Sequence, residues 1–134
     1  MTWLIGLHVK DVEKIDYSWF FRLSDGSVVA TESPWRLITA HGLAVTSEDE
    51  GHKFGLPSPV NAAQRVKDSI EQTPIVGFEL REKTSDLILR FAGDTTIEFL
   101  SMSCGYEGWR TSHGGKELIC IGGGGVAEDN HTKK

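Results

Sequence analysis

Apolar and polar positions alternate over short distances along this chain, and most of the runs read as strands. Trp3 to Val9 is a first apolar run, and the charged stretch Lys10 to Lys14 predicts a turn. Asp16 to Leu23 is rich in aromatics (Tyr17, Trp19, Phe20, Phe21), and Ser24-Asp25-Gly26-Ser27 turns it back into Val28 to Glu32. Aromatic and β-branched residues on both sides of an Asp-Gly turn predict a hairpin. Trp35 to Val45 reads as another strand pair or one bent strand, with His41-Gly42 at its irregular point. Ile75 opens a second series: a turn at Glu82 to Asp86, a hairpin formed by Leu87 to Phe91 and Thr95 to Leu100, and strands near Trp109 to Ser112 and Glu117 to Ile121.

One segment between the two series has helical spacing. Val60, Ala63, Val66 and Ile70 recur on one face, and Gln64, Lys67, Asp68 and Glu71 fall mostly on the other. Ser58 is suited to cap the helix and Pro59 to open it, since proline lacks an N–H that would go unpaired there. Pro74 ends it. Such an amphipathic helix needs an apolar surface, and the surrounding strands are the donor.

The two series resemble each other. Leu4-Ile5-Gly6-Leu7-His8-Val9 is echoed by Ile75-Val76-Gly77-Phe78-Glu79-Leu80, each copy has a hairpin turning at Asp25-Gly26 or Gly93-Asp94, and each closes on Trp-Arg. Pro34-Trp35-Arg36 ends the first and Gly108-Trp109-Arg110 the second. The pattern predicts an α+β fold: two antiparallel β-meanders, related as a pseudo-repeat and joined by one amphipathic helix, forming a curved sheet or half-barrel packed on that helix. Residues 1–125 make the domain, Gly122 to Gly125 release the chain, and 126–134 form a flexible polar tail.

Composition narrows the function more by exclusion than by direction. A chain of 134 residues with 39% hydrophobic and 25% charged residues fits one domain with its own core. Lys+Arg 14 against Asp+Glu 19 gives a net charge of -5, the reverse of the basic excess by which nucleic-acid binders neutralise phosphates. The N-terminal stretch lacks a basic region and His8 and Lys10 interrupt it early, so a signal segment is not expected; no apolar run approaches membrane-spanning length, and the expected location is the cytoplasm.

Cys104 and Cys120 have no second cysteine or histidine at ligand spacing, and Cys120 in Leu118-Ile119-Cys120-Ile121 reads as a buried thiol; whether the two pair is open. The histidines His8, His41, His52, His113 and His131 form no compact ligand pattern, so neither metal nor cofactor is expected. The run Gly122 to Gly125 precedes no helix and is not a phosphate loop. No nucleophile elbow is present, and the chain is expected not to be an enzyme.

One polar constellation stands out: Glu32, Trp35 and Arg36 with Tyr106, Glu107, Trp109 and Arg110. An arginine beside a tryptophan stacks on an aromatic face or pairs with a carboxylate, and Glu32 and Glu107 are at hand. The set reads either as a recognition surface of hot-spot residue types or as two corners in which tryptophan plugs the core and arginine locks a strand. The corner reading is preferred, because similar residues in corresponding places preserve a fold. Features found in one series alone then become the best candidates for contact: Glu48, Asp49 and Glu50, in an acidic loop expected to be solvated and mobile, and Tyr106 with Glu107.

The motifs Trp19-Phe20-Phe21-Arg22-Leu23 with Asp25-Gly26, Glu32-x-Pro34-Trp35-Arg36, and Gly105-Tyr106-Glu107-x-Trp109 resemble those of a family of small bacterial proteins of unknown function found near polymorphic-toxin loci. The resemblance spans Leu4 to Gly124. It implies a compact β-rich domain and an immunity-type role, neutralising a cognate toxin such as a basic nuclease by protein–protein binding. Small-ligand binding in a pocket lined by Trp19, Phe21, Phe78 and Phe91, or a homo-oligomeric β-rich module, are the alternatives; the chain itself is a monomer or homodimer in these readings.

Overall fold

Alternation in the aromatic segment carries directly into the structure, a computed structural model that describes residues 1–130. Trp19, Phe21 and Leu23 of the strand Ser18–Leu23 are buried, with Ser18, Phe20 and Arg22 on its other face. The elements run β1 (Val9–Ile15), β2 (Ser18–Leu23), β3 (Val28–Thr31), β4 (Trp35–Thr39), β5 (Gly42–Thr46), α1 (Ala62–Ile70), β6 (Ile75–Leu80), β7 (Leu87–Phe91), β8 (Thr95–Phe99), β9 (Trp109–His113), β10 (Lys116–Ile121) and β11 (Gly125–Asn130). The fold is α+β, mostly strand with one α-helix among the described residues.

All strands pair antiparallel in two sheets, β1-β2-β3-β9-β10-β11 and β5-β4-β8-β7-β6. The described residues close no barrel. Each sheet draws strands from both ends of the chain. β3 pairs with β9, setting Thr31 opposite Trp109, and β4 pairs with β8, setting Trp35 opposite Phe99.

One core lies between the sheets, and aromatic edges fit together at its centre. Trp35 meets Trp19 at 5.0 Å and Phe21 at 5.2 Å between ring centroids, and Phe21 meets Phe99 at 5.0 Å, all edge-to-face. The helix lays Ala62, Val66 and Ile70 into this core and packs against β1 and β5. Its N-cap is Asn61, whose Oδ1 accepts the Gln64 amide at 3.0 Å, rather than Ser58. Val60 stays outside the helix because its backbone is bonded to His52 and Gly51.

Both predicted hairpins form, with Gly26 at φ +93° and Gly93 at φ +86°, where a side chain would be strained. The first apolar run is different. Thr2–Leu4 is a 3-10 turn, the strand begins only at Val9, and the charged stretch Lys10 to Lys14 lies within β1. As an edge strand, β1 buries Val9 and Val12 and turns its charges outward. The two segments that read alike bond to one another: the Gly6 amide donates to the Ile75 carbonyl at 2.8 Å and the Ile75 amide to Leu7 at 2.7 Å.

The C-terminal glycines also depart from the expected flexible exit. Gly122–Gly124 is a 3-10 turn, and β11 then pairs along β10, with Ile119 opposite Ala127, so the expected tail is a strand as far as Asn130. The turn threads a space that only glycine fits. A Cβ on Gly122 would lie 2.3 Å from the Gly105 nitrogen, and one on Gly124 1.9 Å from the Lys83 carbonyl oxygen. Residues 131–134, the rest of the expected tail, lie outside the described residues.

Candidate functional site

The acidic segment is tied down rather than loose. Ser47–Asp49 is a 3-10 turn in which the Thr46 hydroxyl accepts the Glu48 amide at 3.0 Å and Asp49 accepts the Thr46 amide at 2.9 Å. Glu50 accepts the Ala62 amide at 2.8 Å, placing a carboxylate at the positive end of α1. Glu48 alone of the three is exposed. Asp49 and Glu50 have architectural work that their spacing in the sequence did not disclose.

Trp35 and Trp109 offer nothing to a partner's surface, since both are 0% exposed. The Trp109 indole donates to the Ser85 carbonyl at 2.8 Å, joining the start of β9 to the turn before β7. Their neighbouring arginines do not pair with Glu32 and Glu107. Arg36 binds Glu98 at 2.7 Å, Glu98 also faces Arg81 at 3.7 Å, and Arg81 binds Asp86 at 2.7 Å. Asp86 further accepts the Ser101 amide at 2.7 Å. Glu98 and Asp86 are buried, and this alternation of charges is what makes their burial tolerable. Arg110 faces Glu117 at the longer distance of 3.9 Å.

Four of the expected residues do converge. Glu32, Tyr106, Glu107 and Arg110 line an open cleft of about 610 Å³, with Ser18, Ala30, Ser33, Met102 and Ser103 among the other walls. Its floor is the outer face of the six-stranded sheet at the ends of β3 and β9, and the segment 101–108 forms its overhang. That segment is pinned from several sides. The Ser103 hydroxyl accepts the Gly105 amide at 3.0 Å and the Tyr106 amide at 2.8 Å, Gly123 donates to the Ser103 carbonyl at 3.1 Å, and Gly108 donates to Cys120 at 2.9 Å. On this held backbone Tyr106 is 84% exposed and Met102 65% exposed.

The aromatic set considered for a ligand pocket fills the core instead. Trp19, Phe21 and Phe91 are buried, and Phe78 packs against them. Cys104 is exposed and Cys120 buried, and both are free thiols. No group of His, Cys, Asp and Glu among the described residues is arranged to hold a metal, and no helix among them is long and apolar enough to cross a membrane.

A Ser-His-Asp grouping escaped the sequence because its members are far apart. Ser27 Oγ lies 2.9 Å and Asp25 Oδ2 3.3 Å from His113 Nδ1, and Trp3 stacks on the His113 ring at 5.0 Å. Both oxygens address the same ring nitrogen, so the histidine cannot relay a proton from serine on one side to a carboxylate on the other. The grouping clamps the β2–β3 and β9–β10 turns together. No protein family, curated protein or solved structure matches this chain.

Proposed function

We propose that the chain is a non-enzymatic binding protein of the immunity type, which neutralises a bacterial toxin in the cytoplasm by covering part of its surface. The observation that carries this reading is Tyr106. A large aromatic side chain 84% exposed, beside an exposed Met102, stands on a backbone segment with few degrees of freedom. Tyrosine, methionine and arginine are the side chains that protein interfaces favour, and a pinned anchor loses little entropy when it is covered. Glu32 and Glu107 beside it, in a chain of net charge -5, favour encounter with a basic partner such as a nuclease domain. The resemblance to small proteins near toxin loci agrees with this role. Within the same reading, a duplicated strand unit built the scaffold, and the loops that differ between its halves serve the partner.

The test is neutralisation: a candidate toxin, sought among neighbouring genes and by co-purification, is assayed with increasing amounts of this protein. Stoichiometric loss of toxin activity is expected, weakened at least tenfold by Tyr106→Ala. Full toxin activity in the presence of excess protein would end the proposal. The cleft volume of about 610 Å³ lies within the range of small-molecule sites and supports ligand binding as a second reading. A thermal-shift screen against metabolites separates the two, since only that reading expects a saturable stabilisation by a small molecule.

A further inference from the structure

Corresponding rows of residues cross the outer faces of the two sheets. Thr46, Arg36, Glu98, Ile88 and Glu79 lie opposite one another across β5-β4-β8-β7-β6. Ile119, Arg110, Ala30, Phe20 and Glu13 lie opposite one another across β10-β9-β3-β2-β1. Both rows end on a glutamate bound by an arginine of the neighbouring strand, Glu79 by Arg90 and Glu13 by Arg22. Both hold an arginine directly after a buried tryptophan. They differ where that arginine meets its cross-strand neighbour: Arg36 meets Glu98, and Arg110 meets Ala30.

The difference extends further. In the five-stranded sheet, charges alternate along Arg36, Glu98, Arg81 and Asp86. The matching positions of the six-stranded sheet hold Arg110, Ala30, Ile15 and Ser18. One guanidinium remains of the network, and the space above Ala30 is the cleft. Arg36 has a carboxylate at 2.7 Å, whereas the Arg110 contact with Glu117 is 3.9 Å.

We infer that the cleft takes a carboxylate side chain from a polypeptide partner, and that this carboxylate binds Arg110 in the place over Ala30 that Glu98 holds over the opposite sheet. A guanidinium presents a planar fork of donors that a carboxylate matches with two parallel hydrogen bonds. Ser33 adds a hydroxyl on the same wall, while the Ser18 hydroxyl already donates to Glu32 at 3.5 Å. The exposed Glu32 and Glu107 set the selectivity. Their charges oppose any anion over Arg110, a dianion such as phosphate more than a monoanion, and favour a basic residue flanking the partner's acid. The inference rests on the binding reading above for the source of the carboxylate.

The test is an NMR titration of the full-length protein with N-acetyl-glutamate amide, alongside its neutral glutamine counterpart, N-acetyl-arginine amide and inorganic phosphate. Saturable shifts of the Ala30, Ser33, Gly105 and Arg110 signals are expected with the glutamate probe, at least tenfold weaker with the other three. Ala30→Glu supplies the missing carboxylate within the chain and is expected to abolish the shifts while the protein stays folded; Arg110→Gln is expected to abolish them as well. Persistence of the glutamate shifts in Arg110→Gln, equal shifts with arginine or phosphate, or no saturable shift with glutamate would each overturn the inference. The neutralisation assay keeps the two proposals apart. A toxin blocked equally well by Ala30→Glu protein overturns the carboxylate site and leaves the binding reading standing, whereas glutamate binding without toxin inhibition does the reverse.

Discussion

Gly124 sits at φ +88°, with the Lys83 carbonyl oxygen where a β-carbon would go. Gly124→Ala therefore forces either the β10–β11 turn or the turn at Lys83 to move, and is expected to cost about 3 kcal/mol in urea unfolding. Gly123 has a similar φ of +82°, but its nearest neighbour to a Cβ is 3.4 Å away, so Gly123→Ala is expected to cost only about 1 kcal/mol. Equal costs would show that backbone conformation, not the close approach, requires glycine here. Asp25 makes a different residue-scale prediction. Hydrogen bonding from the Ser27 side chain, against an opposing cost of desolvation, holds its carboxyl below the ordinary 3.8, with the Ser27 amide and the nearby His113 as lesser causes. A depressed folded-state value stabilises the ionised form, so this contribution is complete above 3.8 and disappears as pH falls through the folded value. The urea midpoints of the protein and its Asp25→Asn variant are expected to differ above 3.8 and to converge as pH falls below it through the folded value. A gap that persists in acid would count against the assignment.

At the scale of elements, the helix rests on two side chains that address different donors at its first turn. Asn61 accepts the Gln64 amide and Glu50 accepts the Ala62 amide. Asn61→Ala is expected to cost about 1 kcal/mol, and Glu50→Ala a similar amount, in thermal or urea melts. Glu50→Gln keeps an acceptor and loses only the charge, so it should cost less than alanine. Equal melting of all three variants and the parent would show that the cap does not limit stability. The helix itself was legible because Val66 and Ile70 set its buried face, and the hairpins were legible because turn residues interrupt alternating strands. Its cap was not. Ser58-Pro59 satisfies every local rule for a helix start, but the backbone of Val60 is committed to His52 and Gly51, and that commitment comes from tertiary structure. The glycine run failed for the same reason: what fills the space beside Gly122 and Gly124 is a backbone distant in sequence.

The whole molecule is held by two pairings that cross between its ends, β3 with β9 and β4 with β8. Neither was readable from local pattern, and the candidate site depends on both. They decide that Arg36 meets Glu98 while Arg110 meets Ala30, so Tyr106 and Arg110 could be singled out from sequence but the cleft that joins them could not. They also set how the chain must fold. Trp109 fills the core from β9, yet its cross-strand neighbour Thr31 is made early in the chain, so neither end can bury its tryptophan alone. A chain stopped after Leu100 would leave β3 an open edge and remove Trp109, Thr111 and Cys120 from the interior. That fragment is expected to show no cooperative thermal transition by circular dichroism, despite retaining α1 and both predicted hairpins. The intact chain is expected to refold in milliseconds to seconds, on the order found for β proteins dominated by distant pairings, when followed by tryptophan fluorescence. Sub-millisecond refolding, or a cooperative melt of the fragment, would mean that one end folds by itself and that the exchanged strands only dock onto it.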